Sequence, residues 1–431
     1  MFKGLKPLAL LLIATLVAGM LSGCSSGNNN NVPAGSGSGS EVVTITYASG
    51  KDSTPATKKL IEAFEKKYPN IKVKFLELPQ SPDDQHNAYV TALSAGDSSM
   101  DVIALDIIWP PEFAAAGWVL PLDDKFTPEM REKFLTGPVE AVTYNGHVWA
   151  VPRYTDAGIL YYRKDIIQNP PETWDDLIKM AKANVGKGGT KYGIVFQGNQ
   201  YEGLVCNALE FIGGNGGSIL EGDRVVINSP QAIAGLQNMV NLVKEKIAPP
   251  GITTYKEEDA RIVFQQGEAL FMRNWPYAWA LLNADDSPVK GKVGIAPIPR
   301  GKDGKAGTPA LGGWNLAINK YSKHPEEAWK FIEFVTSEEG QKISALYGGV
   351  LPTLKSLYQD KEILEKNPYW ADFYDAFITA KPRPVSPFYT QMSDSMQINF
   401  HKALTGEITA EQAIKNIEKD LNEIIKNSGK K

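Results

Sequence analysis

Apolar and polar positions follow two alternating periods along most of this chain of 431 residues. Residues 42–47 and 71–75 carry apolar side chains at about every second position, as in strands with one buried face, and residues 60–68 between them repeat apolar side chains at helical spacing. A strand, a helix and a second strand in this order form a βαβ unit. The same two periods alternate downstream, with further strands predicted near residues 100–106, 159–162, 192–197, 269–272 and 316–318. The pattern predicts an α/β fold.

Capping residues mark where several of the predicted helices begin. Thr173 stands three residues before a carboxylate, close to a capping box, and Ser229 directly precedes Pro230. Thr409 opens a last helix whose apolar positions form one stripe, at Ile414, Ile417, Leu421 and Ile424. That stripe is expected to pack on a domain and to carry no chemistry.

The N-terminus indicates export from the cell. Lys3 and Lys6 precede an apolar run at residues 8–21, which is too short for a membrane span and is typical of a removable signal. Residues 25–40 are rich in glycine, serine and asparagine, the composition of a flexible tether. We therefore predict a signal peptide at residues 1–23, a tether at residues 24–40 and a folded part that begins near Glu41.

The composition is typical of a large soluble receptor or enzyme. Of all residues 43% are hydrophobic and 22% are charged, and the chain beyond the tether is long enough for two domains. The net charge of −4 comes with no basic stretch, so nucleic acid is not an expected partner. There are 2 cysteines, Cys24 and Cys206, and if Cys24 is modified then Cys206 has no partner within the chain and is interpreted as a small buried residue.

One aromatic stretch, residues 271–314, carries the strongest indication of a ligand site. It contains Trp275, Tyr277 and Trp314 beside proline or paired glycines, so flat apolar faces stand on backbone that is stiff or open. Each group comes after a strand-like run, and open α/β sheets bind ligands at strand ends. A pyranose sugar, apolar on its faces and polar at its edge, suits such a site. The alternative for each tryptophan is a place in the core.

Three charged residues stand where they could bind sugar hydroxyls. Asp106 ends a buried strand, and its alternative role is to cap the next segment. Asp156 precedes an apolar strand and is either paired structurally or free to bind. Arg383 lies between prolines and could donate two hydrogen bonds, unless it is solvated or ion-paired. The loop at residues 48–54 also comes after a strand and is a candidate ligand loop.

Several chemistries lack their required motifs. The 4 histidines are scattered without a zinc motif, and neither a phosphate-binding P-loop nor a G-x-S-x-G nucleophile elbow occurs. No metal and no cofactor are therefore expected. Carboxylate pairs do occur among the 49 acidic residues, so a secreted glycosidase that uses Asp106 and Asp156 stays open as an alternative. An adhesin or cell-wall anchor protein is a third possibility.

Longer motifs resemble those of a known family. FEKKYPNIKV, QYEGLVC, FQQG, RNWPYAW, LGGWNLAI and PRPVSPFY are similar to stretches of the bacterial extracellular solute-binding proteins of family 1, the sugar-binding lipoproteins of ABC importers. Within that family the chain most resembles the trehalose/maltose-binding group. Leu21-Ser22-Gly23-Cys24 likewise resembles the bacterial lipoprotein signal, which implies lipid attached to Cys24 on the outer face of the cell membrane.

The resemblance implies a two-lobed fold that closes by a hinge over a di- or oligosaccharide. One lobe would comprise residues 41–151 and 311–349, and the other residues 152–310 and 350–431. Asp106, Tyr154, Asp156 and Arg383 would bind hydroxyls or rings, Trp275 and Tyr277 would stack on the sugar, and Gly313 with Trp314 would close one side. The protein would act as a monomer, not as an enzyme, and would deliver the sugar to the permease subunits in the membrane.

Two positions depart from the trehalose/maltose group. Where that group has a glutamate in the first loop and a pair of arginines in the helix after the second strand, this chain has Ser53-Thr54 and Gln85-His86. We include Ser53 and His86 among the predicted ligand-binding residues. Changed polar contacts leave the ligand class intact but affect which sugar is preferred.

Overall fold

Residues 42–222, 224–378 and 380–428 are described by a computed structural model of the chain. The predicted signal peptide, the tether and Cys24 lie outside these residues. Within them, the strands are β1 (Val43–Gly50), β2 (Ile71–Leu78), β3 (Val102–Asp106), β4 (Thr143–Tyr144), β5 (His147–Val148), β6 (Val151–Ala157), β7 (Ile159–Arg163), β8 (Tyr192–Val195), β9 (Leu220–Glu221), β10 (Arg224–Val225), β11 (Ala269–Asn274), β12 (Val293–Ala296) and β13 (Leu311–Ile318).

Helices connect and cover these strands. They are α1 (Ala56–Lys67), α2 (Pro82–Ser94), α3 (Pro110–Ala115), α4 (Pro128–Arg131), α5 (Thr136–Ala141), α6 (Trp174–Asn184), α7 (Glu202–Gly214), α8 (Pro230–Lys244), α9 (Glu257–Gln265), α10 (Ala278–Leu282), α11 (Pro325–Val335), α12 (Glu338–Gly348), α13 (Lys361–Lys366), α14 (Tyr369–Ile378), α15 (Tyr389–Thr405) and α16 (Ala410–Ser428). Short 3-10 helices occupy Lys187–Gly189, Ile252–Thr254 and Lys355–Gln359.

The first sheet has the strand order β2-β1-β3-β13-β6. β1 runs parallel to β2 and β3, with α1 in the connection to β2, so the predicted βαβ unit is confirmed. β13 is antiparallel to both β3 and β6. Because the parallel strands β1 and β3 end on the same edge, the residues after Gly50 and at Asp106 come together there.

The second sheet has the strand order β12-β7-β11-β8. β7 is antiparallel to β11 and β12, and β11 is parallel to β8. β11 leads directly into Trp275, so the aromatic stretch begins at the end of a central strand of this sheet.

The chain passes between the sheets within one residue. β6 ends at Ala157 in the first sheet and β7 begins at Ile159 in the second, with Gly158 between them. The predicted lobe boundary at residue 152 differs from this crossing, because β6 pairs with β13 as far as Ala157. Tyr154 and Asp156 therefore lie on a strand of the first sheet, whereas the resemblance placed them in the second lobe.

Each sheet carries its own packed helices. Phe64 of α1 meets Phe331 of α11 edge to face at 5.1 Å beside the first sheet, and Trp174 of α6 stacks on Phe211 of α7 at 3.9 Å beside the second. The stripe of α16 is buried at Ile414, Ile417 and Leu421, as predicted. Among the described residues, none of the helices has the length and apolar character needed to cross a membrane.

The predicted helix caps form in the structure. The Thr173 hydroxyl oxygen accepts a hydrogen bond from the Asp176 N–H at 3.1 Å, and Ser229 accepts one from the Ala232 N–H at 3.2 Å. Thr409 accepts one from the Gln412 N–H at 3.1 Å. Each hydroxyl satisfies one of the N–H groups that the first turn of a helix leaves without a carbonyl partner.

Candidate functional site

A cavity of about 190 Å³ lies where ends of the two sheets face one another. It is lined by the loop after β1, the end of β3, the middle of β6, the start of β13 and the segment after β11. The first turn of α7 and the loop around residue 383 complete the wall. The aromatic stretch and the candidate ligand loop at residues 48–54 thus meet in one place.

Most of the predicted site residues lie in this lining. They are Ser53, Asp106, Tyr154, Asp156, Trp275, Tyr277, Gly313, Trp314 and Arg383. His86 is absent from the lining, because its ring points to the other side of α2. There its Nε2 lies 3.0 Å from the Glu112 carboxylate, and the ring packs against Trp109 and Phe113. Its neighbour Gln85 lines the cavity instead.

Two half-buried indoles form part of the wall. Trp314 stands on β13, in register between Asp106 of β3 and Tyr154 of β6, and its ring meets Trp109 edge to face at 5.5 Å. Trp275 comes directly after β11, and its Nε1 is 3.4 Å from a carboxylate oxygen of Glu257. Both residues line the cavity and are only partly buried, which favours the ligand-binding interpretation over a place wholly within the core.

Tyr277 is held in place by a hydrogen bond to the first turn of α9. Its hydroxyl donates to the Glu258 carboxylate at 2.7 Å, and burial beside that carboxylate raises the pKa of Tyr277 well above its ordinary value. Burial alone would raise the pKa of Glu258, but hydrogen bonds from Arg261 and Tyr277 lower it. The phenol is therefore a neutral ring held in one orientation at neutral pH.

Paired glycines bring β13 close to its neighbours. A Cβ on Gly312 would lie 3.0 Å from the Trp275 ring and 3.1 Å from the Cβ of Asp156. Gly313 has a φ of +141°, and a Cβ there would be 2.7 Å from the Tyr154 carbonyl oxygen. Only glycine permits this backbone conformation and this approach, so the pair lets Trp275, Asp156 and Tyr154 share one small space.

An ion-pair network joins the two sides of the cavity. Arg383 donates from Nη2 to Asp106 and from Nη1 to Glu202, each at 2.8 Å. Burial raises the pKa of Asp106 even though the Arg383 guanidinium opposes this. Trp109 occupies the N-cap position of α3, so Asp106 does not cap that helix. Arg383 is ion-paired, which was its alternative role, yet it also lines the cavity.

Asp156 is buried without a cation bound to it. Its Oδ1 has no hydrogen-bond partner among the described residues. Burial, together with the nearby Asp106 carboxylate, raises the pKa of Asp156 well above its ordinary value, and Arg273 only partly opposes the effect. Because structural carboxylates are normally paired, the unpaired oxygen favours the binding role over the structural one.

Other polar atoms of the lining also lack partners. Within the described part of the chain, buried atoms without a hydrogen-bond partner include Gln85 Oε1, Arg153 Nε, Asp156 Oδ1 and Arg383 Nε, all on residues that line the cavity. Two of these atoms accept and two donate. A ligand with hydroxyl groups could satisfy both kinds, because a hydroxyl donates and accepts at once.

The lining residues that were not predicted as site residues include Arg153, Gln85 and Glu202. Glu202 is the acidic first residue of α7, a helix that is otherwise mainly apolar and buried, and this contrast was a usable signal. The Arg153 guanidinium bonds to the Tyr47 hydroxyl at 2.6 Å and lies 5.2 Å from the Tyr154 ring, contacts that no sequence pattern indicated.

The remaining chemistry of the lining is limited. Cys206 is buried and free, and burial raises the pKa of its thiol, so it carries no thiolate at neutral pH. Across residues 42–222, 224–378 and 380–428, no three His, Cys, Asp or Glu side chains lie together as a metal site requires.

Comparison with protein families gives one clear match. The model of the bacterial extracellular solute-binding proteins matches residues 47–342. A probable ABC transporter-binding protein from Deinococcus radiodurans is 38% identical over 399 residues, which cover 89% of this chain and 94% of the relative. A maltotriose-binding protein from Pyrococcus abyssi is 28% identical over 355 residues, covering 81% of this chain and 74% of that protein.

Solved structures share the fold. The maltose-bound MalE3 protein of T. maritima superposes with a TM-score of 0.85 at 46% identity, covering 88% of this chain and 99% of that one. A solute-binding protein from Thermotoga lettingae bound to α-D-tagatose has a TM-score of 0.80 at 29% identity, covering 90% of this chain and all of that one. The predicted fold class, an α/β solute-binding fold, is confirmed.

Proposed function

Because the chain belongs to the bacterial extracellular solute-binding protein family, we propose that it captures a maltose- or trehalose-like di- or oligosaccharide for an ABC importer. The sugar occupies the cavity between Trp275 and Trp314, and the loaded protein delivers it to the permease subunits. Members of this family bind substrates of ABC transporters outside the cytoplasm and are not enzymes, so the glycosidase alternative is set aside.

One observation carries the proposal: indole faces and unsatisfied buried hydrogen-bonding atoms line the same cavity. Sugar rings stack on aromatic faces through their C–H surfaces, while their hydroxyls need donors and acceptors. Leaving Asp156 Oδ1 and the guanidinium Nε of Arg153 or Arg383 without partners costs free energy, which a sugar would recover on binding.

The kind of sugar is inferred from relatives and from the balance of charge. The T. maritima protein was solved with maltose, and the Pyrococcus abyssi relative is named for maltotriose. The Arg383 guanidinium of the lining is already ion-paired with Asp106 and Glu202. The lining holds more acidic residues, Asp52, Asp106, Asp156, Glu202 and Glu257, than basic ones, Lys51, Arg153 and Arg383, so it favours a neutral glucoside over an anionic sugar.

Capture by closure is supported by the distribution of the site over both sheets. Asp106 and Trp314 belong to the first sheet, whereas Trp275 and Tyr277 come after a strand of the second. A sugar that touches both groups has more contacts when the lobes are closed, so it shifts the hinge equilibrium by that difference. Hinge closure of periplasmic binding proteins is a known case of this behaviour. The lobes are those given by the resemblance, with the crossing taken at Gly158.

A lipid on Cys24 would hold the protein, as a monomer, at the outer face of the membrane. The motif Leu21-Ser22-Gly23-Cys24 supports this anchor. Labelled palmitate should enter the wild-type protein in cells and not its Cys24→Ser variant, which should appear in the soluble fraction. Label retained in the variant would contradict the anchor.

Calorimetric titration with maltose, trehalose, maltotriose and glucose tests the function. We expect one sugar per chain, a Kd on the order of micromolar for at least one glucoside, and weaker binding of glucose. A variant with both Trp275→Ala and Trp314→Ala should show no binding. Chromatography of the recovered sugar should find it intact. Absence of heat and of a thermal shift with every sugar, or release of glucose, would refute the proposal.

A further inference from the structure

The rear of the Trp275 wall is covered by a buried cation. The Arg273 guanidinium carbon lies 4.0 Å from the centroid of the Trp275 ring. Arg273 is 1% exposed and does not line the cavity. Since Trp275 does line it, the ring meets the cavity with the surface that the guanidinium leaves open. A cation over an indole face is also an attractive contact in its own right.

The guanidinium itself is fixed in position. It donates from Nε at 2.8 Å and from Nη2 at 2.5 Å to the Glu210 carboxylate, and from Nη1 at 3.1 Å to Gln197 Oε1. A bidentate ion pair of this kind fixes the plane of the guanidinium as well as its position. A planar group held in this way restricts the tilt of the indole that stacks on it.

The same ion pair touches both connections between the sheets. Glu210 Oε1 accepts a hydrogen bond from the Ala310 N–H at 3.1 Å, directly before β13. On the other connection, a Cβ at Gly158 would lie 1.8 Å from Glu210 Oε1 and 2.5 Å from Arg273 Nη2. The support of Trp275 is therefore built on the segments that cross from one sheet to the other.

We propose that Arg273 is a positioning residue for sugar binding: held by Glu210, it keeps the Trp275 indole in the orientation that receives the sugar. This role rests on the proposed function. The indole is ordered before the sugar arrives, so binding does not have to meet the cost of ordering it. Arg273 makes no contact with the ligand and acts only through Trp275.

Arg273→Lys tests the role, because lysine keeps the charge beside Glu210 but has no planar group to stack on the indole. Calorimetric titration of the purified protein with maltose should show roughly 5- to 20-fold weaker binding. Arg163→Lys is the matched control. Arg163 is also buried and paired through two nitrogens with a carboxylate, that of Asp165, but lies outside the cavity lining. This control should lose stability and keep its sugar affinity within about twofold.

A double-mutant cycle separates positioning from general loosening of the fold. In a Trp275→Ala background, Arg273→Lys should weaken maltose binding no further, because the residue it positions is gone. If Arg273→Lys does not fold, Glu210→Gln combined with Arg273→Leu replaces it, since removing both charges leaves no unpaired ion in the interior. The replacement should likewise weaken binding only while Trp275 is present.

The outcomes are distinct. Wild-type affinity in Arg273→Lys, or an equal loss with and without Trp275, would overturn the positioning role and leave the proposed function in place. Failure of the wild-type protein to bind any of the sugars would overturn the proposed function and this role together.

Discussion

At the scale of a single residue, a substitution of Trp314 can distinguish stacking on a ligand from packing in the core. This residue lines the cavity and is only partly buried, while its ring also packs edge to face with Trp109 and against the core. We expect Trp314→Ala to weaken sugar binding by roughly 1 to 3 kcal/mol, the usual loss for a stacked aromatic contact. Calorimetric titration measures the change.

The control for this substitution is Trp279→Ala. That indole packs on Tyr369 at 5.0 Å, bonds through Nε1 to the Lys366 carbonyl, and lies outside the cavity lining. Its loss should lower the melting temperature and leave sugar affinity unchanged. Equal affinity of both variants and the wild type would assign Trp314 to the core.

Site residues with a motif around them were predictable, and those without one were not. Trp275, Trp314 and Arg383 stand beside prolines or paired glycines, where the rigid backbone indicated a site. His86 was selected over Gln85, yet one step along a helix turns a side chain by about 100°, and only the fold determines which of the two faces the cavity. Arg153 and Tyr154 are neighbours on β6, and neighbouring strand residues normally point to opposite faces, yet both line the cavity.

At the scale of elements, Asp83 joins α2 to two distant helices. Its carboxylate accepts from the Glu202 N–H of α7 at 2.9 Å and from Gln397 of α15 at 3.2 Å. Burial raises the pKa of Asp83 to about 6, and the Glu202 carboxylate adds to the increase. Because the folded pKa exceeds the ordinary value of 3.8, the folded state holds the proton more tightly, and stability is lost as pH rises from about 4 to about 6.

Asp83→Asn should remove that loss. At a pH of about 7.5 we expect the free energy of unfolding to rise by up to about 3 kcal/mol, and at a pH of about 4 to change little. Urea titrations at the two pH values measure this. Asp84→Asn is the control, since its side chain is 55% exposed, and it should give no difference between the two. A wild-type pH dependence that persists in Asp83→Asn would contradict the assignment.

Helices with an apolar stripe were predicted well, and α15 was not. The first βαβ unit and α16 have regular apolar periods, so periodicity alone located them. α15 buries apolar residues, Met392, Met396, Phe400, Ala403 and Leu404, but also polar ones, Ser393, Ser395, Gln397 and Asn399. They are buried because neighbouring helices supply partners, such as Asp420 for Ser395 at 2.7 Å. Buried polar residues of this kind weaken the hydrophobic period by which a helix is recognised in a sequence.

At the scale of the molecule, sugar binding should stabilise the whole folded chain. A ligand that binds only the folded state at 100 times its Kd contributes about 2.7 kcal/mol. Denaturant titration with and without maltose should show this gain for the wild type. At the same sugar concentration, Trp275→Ala should show a smaller gain because its site is less occupied. A gain of equal size in glucose and in maltose would argue for a solvent effect.

The family and the fold class were predictable from motifs, but the division of the chain between the sheets was not. The motif LGGWNLAI located a strand, and the structure pairs that strand with both Asp106 and Tyr154. Which sheet receives residues 152–157 depends on this long-range pairing. No local pattern of β6 distinguishes a strand of the first sheet from one of the second.

The single residue between β6 and β7 restricts how the two sheets can rearrange. A connection of one glycine allows torsional rotation at that point but almost no sliding, since the backbone on both sides is held in ladders of hydrogen bonds. Asp156 lies two residues before Gly158, and the side chains of Glu210 and Arg273 lie directly beside Gly158. A rotation of one sheet against the other at Gly158 would therefore change the separation between the Asp156 carboxyl of the first sheet and the indole support of the second.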